Sequence, residues 1–510
     1  MSVTEVTENS DIKQNMAALI TNSRAVRAIA EAIEGTLGPQ GMDCLLVDEY
    51  GSIMVTNDGV TILRAMDVNH PAARLLISAA EQQEEQVGDG TTTTTIITAA
   101  LIDEGAQQIL KGVPAIKVIE GIKIGIAKAI ALLEEATVKI EELQSPILKE
   151  IAFIAGREHR ELADLVIGAA LILGGDILRE DGFKLADQVI ALEGVESFLL
   201  RGVLINKEPL NREMPRNIKN AKIIILDDSL EPQPIASDAL ATEFGLNRQL
   251  HNEQDLNDNL QKLALLGVNA IFTDRAMNDQ AEALLTDLGI LGVAGLARQE
   301  WQRLAKMTGA RPIKKSMLSK PSDELEKLIG LAAEIRMDER HEQIMVMGYQ
   351  EQKIVTLIVG AATKEVVGEK ERIAKDTAGA VQAAWCGGVV PGGGSVELAI
   401  AERLAETPIK GMANYGYLCV INALKRPMAQ ICANAGLNPL EKVAEVWASQ
   451  QEEFSFARGV SCHNGVACNL TDLGIWDPYL VKFYAIKSAG EVSEAILRIN
   501  TIIKMKEEVH

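Results

Sequence analysis

Gly88-Asp89-Gly90-Thr91-Thr92-Thr93 is followed by an apolar-periodic segment reaching Leu110, so it reads as a loop opening onto a helix N-terminus. Such a place offers what a phosphate cradle needs: small residues that admit close backbone approach, amides left over by the first helical turn, hydroxyls, and a carboxylate accessible to Mg2+. A capped helix carrying polar threonines explains the same residues equally well, so the decision depends on the rest of the chain. A second turn, Pro391-Gly392-Gly393-Gly394-Ser395, also opens a helical pattern and reads alone as either a hinge or a close approach to a ligand. Asn57-Asp58-Gly59 reads alone as an ordinary turn. None of the three is a P-loop, because no Gly-Lys-Ser/Thr follows at the required spacing, and no dinucleotide fingerprint occurs.

Working outward, Leu19, Val26, Ile29, Ala30 and Ile33 fall near helical spacing, with Gly35 placed to end the helix. The turn Thr36-Leu37-Gly38-Pro39-Gln40-Gly41 follows, and 44–47 with 52–56 read as a hairpin. Beyond Leu110 a further helix starts near Pro114 and carries Ile119, Ile122, Ile126, Ile130 and Leu133 on one stripe. The N-terminal part is therefore predicted to be mostly helical to about residue 140.

The middle of the chain changes character. Ile223-Ile224-Ile225-Leu226 is a continuous apolar run, as expected of a strand covered on both faces, and 270–272 and 291–293 resemble it. Helical patterns over 279–287 and 298–307 alternate with these runs, which predicts a small α/β domain. Residues 230–267, polar and longer than a crossover needs, read as an insertion. Residues 343–347 and 353–359 suggest a strand pair, a helix follows over 369–386, and helical patterning returns after Gly394 through to Lys506. The two ends look alike, with a different middle between them.

Bulk properties narrow the function classes. A chain of 510 residues exceeds what one hydrophobic core sustains. With 47% hydrophobic, 24% charged and only 4% aromatic residues, the core must be largely aliphatic. The net charge of -21 argues against general binding to nucleic acid or to acidic membranes. No secretory signal or membrane-spanning run is evident, so a cytoplasmic location is expected. Six cysteines are too few for a disulfide scaffold, and they are expected to be reduced. Cys462-His463 with Cys468 lacks the further spaced ligands of a zinc site and reads as packing or loop residues. The six histidines show no recurrent pairing.

Taken together, Thr36-Leu37-Gly38-Pro39-Gln40-Gly41-Met42, Asn57-Asp58-Gly59-Val60-Thr61-Ile62, Gly88-Asp89-Gly90-Thr91-Thr92 and Pro391-Gly392-Gly393-Gly394 resemble the chaperonin family in order and approximate spacing. The resemblance spans nearly the whole chain. Trp476-Asp477-Pro478, Val481-Lys482 and Ala495-Ile496-Leu497-Arg498-Ile499 look like the thermosome-type branch (group II, with a built-in lid) or a bacterial relative of it.

The resemblance implies a multidomain α and α/β subunit. A mostly helical equatorial ATPase domain would comprise 1–140 and 391–510. A small intermediate hinge domain would comprise 141–200 and 349–390. An α/β apical domain, 201–348, would bind non-native protein clients and carry a helical lid protrusion at about 230–267. The resemblance further implies ATP and Mg2+ as ligands. Leu37, Gly38 and Pro39 would lie along the nucleotide, and Gly90, Thr91, Thr92 and Thr93 would hold its phosphates. Asp89 would ligate the metal, Gly393 and Gly394 would approach closely, and Asp477 would face the ribose. Asp58 and Asp376 would be the catalytic carboxylates.

Where the branch commonly has a lysine in its nucleotide-sensing loop, this chain offers Arg157, which reads equally as a surface charge. Ile235, Leu240, Phe244, Leu246 and Leu250 would give the protrusion an apolar side for clients or neighbours, or would pack on one another. A homo-oligomer of two stacked rings of eight is implied, with no separate co-chaperonin. A small-molecule phosphoryl transferase and a non-catalytic ring scaffold are the competing readings.

Overall fold

The computed structural model describes residues 8–47, 51, 53–232 and 243–501. The chain divides into two compact units. One comprises Met1–Ile167, Leu178–Asp187 and Gly368–His510, and the other Gly168–Ile177 and Gln188–Val367.

The first unit joins both chain ends around a helical core. At its centre lies the helix Thr91–Leu110, with Ile97, Leu101 and Ile102 almost wholly buried. Around it pack Glu8–Ile33, Pro71–Val87, Ala413–Leu424 and Tyr479–Leu497. The apolar residues predicted for the first helix, Leu19 to Ile33, are all buried. Its threonines survive burial because Thr94, Thr95 and Thr98 each donate a hydroxyl hydrogen bond to the carbonyl four residues earlier.

The helix that begins after Pro114, Ala115–Glu135, crosses Ala413–Leu424 at two glycines. A Cβ on Gly121 would stand 1.8 Å from the Ala413 carbonyl oxygen, and one on Gly416 would stand 1.8 Å from that of Val118. Only glycine lets the backbones approach so closely, and this contact ties the early and late parts of the chain together. The predicted hairpin is present as Cys44–Val47 paired antiparallel with Ile53–Thr56. The C-terminal stretch is not continuously helical. A hairpin, Arg458–Val460 with Ala467–Asn469, places Cys462 and His463 in its loop, and strand Trp476–Pro478 pairs with Val389–Pro391. The six cysteines are free thiols.

The second unit is α/β. Its six-stranded sheet runs in the order Gly202–Ile205, Gln343–Met347, Gly330–Asp338, Asn217–Leu226, Ala270–Thr273, Leu291–Val293. The last three strands are parallel, and Ile223 to Leu226 are wholly buried, as the apolar run predicted. Two expectations need correction. Gln343–Met347 and Thr356–Ala361 are both strands but are not partners: the latter pairs with Val189–Glu193 and Phe198–Leu200 in a separate three-stranded sheet. Leu200 and Ile358 of that sheet share a core with Leu204 and Met345 of the larger one, so packing groups it with this unit, although the resemblance assigns these segments to an intermediate domain.

The second correction concerns 230–267. Residues 233–242, including Ile235 and Leu240, lie outside the described residues. The helix Glu243–Leu265 has two halves: Leu256, Leu260 and Leu263 are buried in the sheet's core, making it the crossover between parallel strands. Phe244, Leu246 and Leu250 are instead exposed.

Candidate functional site

The site residues meet within the first unit because three close packings bring their loops together. Helix Pro71–Val87 ends at Gly88, whose φ of 68° is the left-handed geometry of a glycine cap; its amide donates to Glu84 O at 2.8 Å. Against this turn lies the long helix Lys364–Gly387. A Cβ on Gly379 would come within 2.9 Å of the Val87 carbonyl oxygen and 3.2 Å of the Gly88 Cα. Gly379 lies one turn beyond Asp376, so the same contact sets the Asp376 carboxyl near Glu84, Asp58 and Asp89, whose charges it senses.

Gln83 forms the second link: its side-chain amide donates to the backbone oxygens of Asp89 at 2.9 Å and Val481 at 3.1 Å. The third runs through Asn434, which donates to Glu34 O and Leu37 O at 2.9 and 2.8 Å. The same helix, Arg426–Asn434, meets the other glycine turn, where a Cβ on Gly394 would stand 2.8 Å from the Met428 nitrogen. Leu37, Gly38 and Pro39 on one side and Gly393 and Gly394 on the other are thus fixed to one helix. That helix packs against Thr91–Leu110.

The carboxylates are unusually concentrated. Asp58 caps the helix Gly59–Ala65, accepting through Oδ2 from the Thr61 amide at 3.0 Å and its hydroxyl at 2.5 Å. Burial pushes the Glu84 carboxyl up to about 7, helped by the charges of Asp58 and Asp89. Asp376 is raised well above the ordinary carboxylate range, first by burial and then by Glu84. Asp89 is also raised. Burial is the larger cause and Asp477 the next, while the Gly90 amide, donating to Oδ1 at 2.5 Å, and Lys482 oppose the shift. Asp89 nevertheless keeps substantial solvent exposure.

Two cations answer this charge. Arg372 Nη1 stands 3.7 Å from Asp58 Oδ2 and 3.6 Å from Asp376 Oδ2. Lys482 Nζ lies 2.8 Å from Asp477 and 2.7 Å from Glu397, a carboxylate with no solvent exposure. Burial works against the ammonium, but Asp477 and Glu397 outweigh it and hold Lys482 firmly charged.

The structure therefore brings together Asp58, Asp89, Asp376 and Asp477 with Gly90 to Thr93. Gly90 needs to be glycine: its φ is 85°, and a Cβ would strike Val481 at 2.6 Å and Gln83 at 2.9 Å. Of the three threonines, Thr91 and Thr93 are buried and Thr92 is more open. What the helix start offers an anion is consequently its leftover amides more than three hydroxyls. Arg157 is set apart from the carboxylate group and pairs with Glu369 at 2.7 Å. Sequence reasoning missed Glu84, Arg372, Glu397 and Lys482 as members of the site. Signals existed for Arg372, four residues before Asp376 on one helix face, and for Lys482, which stands in the Val481-Lys482 pair of the family resemblance.

The residues present fit Mg2+. The donors are hard carboxylate oxygens, and a single accessible aspartate suits an ion that keeps most of its coordination for phosphate and water. Among the described residues, no three His, Cys, Asp or Glu side chains form a complete metal cage, so Asp89 would share the ion with its nucleotide. No described helix is long and apolar enough to cross a membrane.

Comparison with known proteins agrees with this geometry. The model of the TCP-1/cpn60 chaperonin family matches residues 29–507. A thermosome subunit of Methanocaldococcus jannaschii is 32% identical over 501 residues, covering 94% of this chain and 91% of the relative. A thermosome subunit of Methanopyrus kandleri is 33% identical over 509 residues, covering 95% and 92%. The crystal structure of a group III chaperonin in the open state superposes with a TM-score of 0.87 at 39% identity, covering 96% of this chain and all of that one. This chain belongs to the TCP-1/cpn60 chaperonin family.

Proposed function

We propose that Asp58, Asp89 and Asp376 act as one hydrolytic centre on Mg-ATP, in a chaperonin subunit that couples ATP hydrolysis to protein folding inside a ring. Family membership supports the ATPase, the ring assembly and the protein clients. The observation that carries the site is the seating of Gly379 on Val87 and Gly88. It delivers a carboxylate from the mid-chain helix Lys364–Gly387 to the loop holding Asp89.

In this reading Gly90, Thr91, Thr92 and Thr93 present amides and the Thr92 hydroxyl to the phosphates. Leu37, Gly38 and Pro39 flank the nucleotide together with Gly393 and Gly394, and Asp477 receives the ribose. Asp89 holds Mg2+, which supplies charge neutralisation at the phosphate oxygens when bound. Asp58 and Asp376 orient water for in-line attack on the γ-phosphorus. A new P–O bond forms as the bond to the β-phosphate oxygen breaks, and the water proton passes to a carboxylate. Burial and the neighbouring charge of Glu84 raise the affinity of Asp376 for protons, the direction that favours its carboxylate as the acceptor of the water's proton.

The finer assignments follow the same reading. The three-domain bounds, 1–140 with 391–510, 141–200 with 349–390, and 201–348, describe a hinge crossed twice by the chain. Movement of Asp376 with its helix would then swing the apical domain and close a lid carried ahead of Leu256. We propose two stacked rings of eight identical chains, a cytoplasmic location and no separate co-chaperonin. No observation favours a small-molecule phosphoryl transferase or an inert scaffold.

The test is Asp376→Ala in the full-length assembly. ATP turnover should fall by at least about a hundredfold while nucleotide binding stays within about threefold. Unchanged turnover would refute the assignment.

A further inference from the structure

The relation between Arg157 and the hydrolytic carboxylates is indirect, and one residue carries it. Arg157 follows the helix Pro146–Ala155 in a turn where it and Glu158 both take left-handed backbone geometry, at φ 49° and 63°. Neither is a glycine, so the turn is held by its surroundings. Its guanidinium donates from Nη1 to Glu369 Oε1 at 2.7 Å. The same oxygen accepts from Arg372 Nη2 at 2.6 Å, and Glu369 Oε2 accepts from Arg372 Nε at 3.2 Å.

Glu369 thus grips Arg372 with both oxygens and Arg157 with one. This two-point grip fixes the plane of the Arg372 guanidinium, as a single ion pair would not. What remains of that group is Nη1, which is buried, has no hydrogen-bond partner among the described residues, and faces Asp58 and Asp376 at 3.7 and 3.6 Å. A buried donor directed at two carboxylates from just beyond hydrogen-bond range is unspent capacity. A small shift would let it bond to either carboxylate, or to an anionic oxygen arriving between them.

We propose that Glu369 is a positioning residue that couples the Arg157 loop to the Asp58–Asp376 pair by fixing Arg372 between them. This rests on the reading of Asp58 and Asp376 as hydrolytic. The consequence is that the Arg157 turn and the Asp58–Asp376 pair are linked through one shared carboxylate: whatever draws Arg372 Nη1 toward either aspartate changes the pull on Glu369 and hence on the Arg157 turn. Conversely, loss of Arg157 lets Glu369 and Arg372 drift from the geometry that hydrolysis needs.

A mutant cycle on the assembled full-length protein tests this. Arg157→Ala and Arg372→Gln are each measured in the wild-type and Glu369→Gln backgrounds, reading kcat and KM for ATP separately. Glu369→Gln should lower kcat by about tenfold or more with KM changed less than about threefold, as expected of a group that aligns catalytic carboxylates without binding substrate. In that background Arg157→Ala should add less than about twofold, because its route is already cut.

If Glu369→Gln fails to assemble, as judged by light scattering, Glu369→Asp serves instead: it keeps the charge but is too short to hold both arginines, and the same non-additivity is expected. Arg157→Ala and Arg372→Gln effects that multiply in full whichever residue stands at 369 would overturn the coupling. An inactive Asp376→Ala alongside such additivity would sink the coupling alone, whereas an active Asp376→Ala would sink the hydrolytic reading beneath it.

Discussion

Lys482 Nζ stands 2.7 Å from Glu397, whose side chain is wholly removed from solvent, and reaches Asp477 with the same ammonium. Glu397 lies in the first turn of the helix opened by Gly393 and Gly394, and Asp477 lies on the strand paired with Val389–Pro391. One lysine therefore joins the glycine turn to the proposed ribose carboxylate. Removing one partner of a buried pair strands the other charge, which is costlier than never having had the pair. Lys482→Met should destabilise the first unit by about 3–5 kcal/mol, whereas Lys482→Met with Glu397→Gln should recover a substantial part. Urea unfolding of the three proteins checks this, and a double variant no better than the single would contradict it.

Glu84 gives a pH dependence with a definite sign. Its folded-state carboxyl is raised from 4.5 to about 7, chiefly by burial and then by Asp58 and Asp89. The folded state therefore holds a proton that the unfolded chain releases between these values. The associated stability is fully present below pH about 4.5 and is lost as pH rises through about 7, amounting to at most roughly 3 kcal/mol. Glu84→Gln removes that loss. The difference in urea midpoint between Glu84→Gln and wild type should widen from pH 5 to pH 8 in favour of the variant. A gap independent of pH would show that Glu84 does not titrate there.

The glycines at the helix crossing and a glycine in open space predict opposite outcomes. Gly416→Ala places a methyl group 1.8 Å from the Val118 carbonyl oxygen, with backbone on both sides and nothing flexible to yield. A loss of about 3 kcal/mol or more is expected, in the range of severe overpacking. Gly368 lies in the helix Lys364–Gly387, and among the described residues nothing outside its own helical backbone comes within 4 Å of an added Cβ. There alanine should stabilise by up to about 1 kcal/mol through helix propensity. Thermal unfolding monitored by circular dichroism separates the two, and similar effects at both positions would contradict the packing argument.

How much of this was legible beforehand follows from the range of each interaction. The stripe Ile119, Ile122, Ile126 and Leu133 and the run Ile223 to Leu226 announce helix and strand because periodicity is local, and these residues are buried. The glycine turns were visible, and they do converge. Strand partners were not visible: Gln343–Met347 and Thr356–Ala361 are neighbours in sequence but belong to different sheets, and nothing in either stretch encodes the choice. The charges that complete the site were hidden for a related reason. Glu84 sits in an acidic helix surface and Glu397 in an amphipathic pattern, where carboxylates ordinarily face water. What sets their behaviour lies elsewhere in the chain: the charge of Asp58 adds to the shift of Glu84, and Lys482 pairs with the buried Glu397. Residues 230–267 looked uniformly polar because a crossover helix with one buried stripe, Leu256, Leu260 and Leu263, is mostly polar by composition.

The two halves of that crossover helix predict separable losses. Phe244 and Leu250 are 75% and 56% exposed, so replacing both by serine removes little buried surface and should change the unfolding free energy by less than about 0.5 kcal/mol. Leu260 is wholly buried, and Leu260→Ala should cost about 2–5 kcal/mol. If the exposed residues serve a lid, Phe244→Ser with Leu250→Ser should keep ATP turnover yet lose nucleotide-dependent protection of a trapped client from protease. Leu260→Ala should instead weaken the whole second unit. Full protection by the double serine variant would assign these side chains no part in closure, and a destabilisation as large as that of Leu260→Ala would show that they pack against the protein after all.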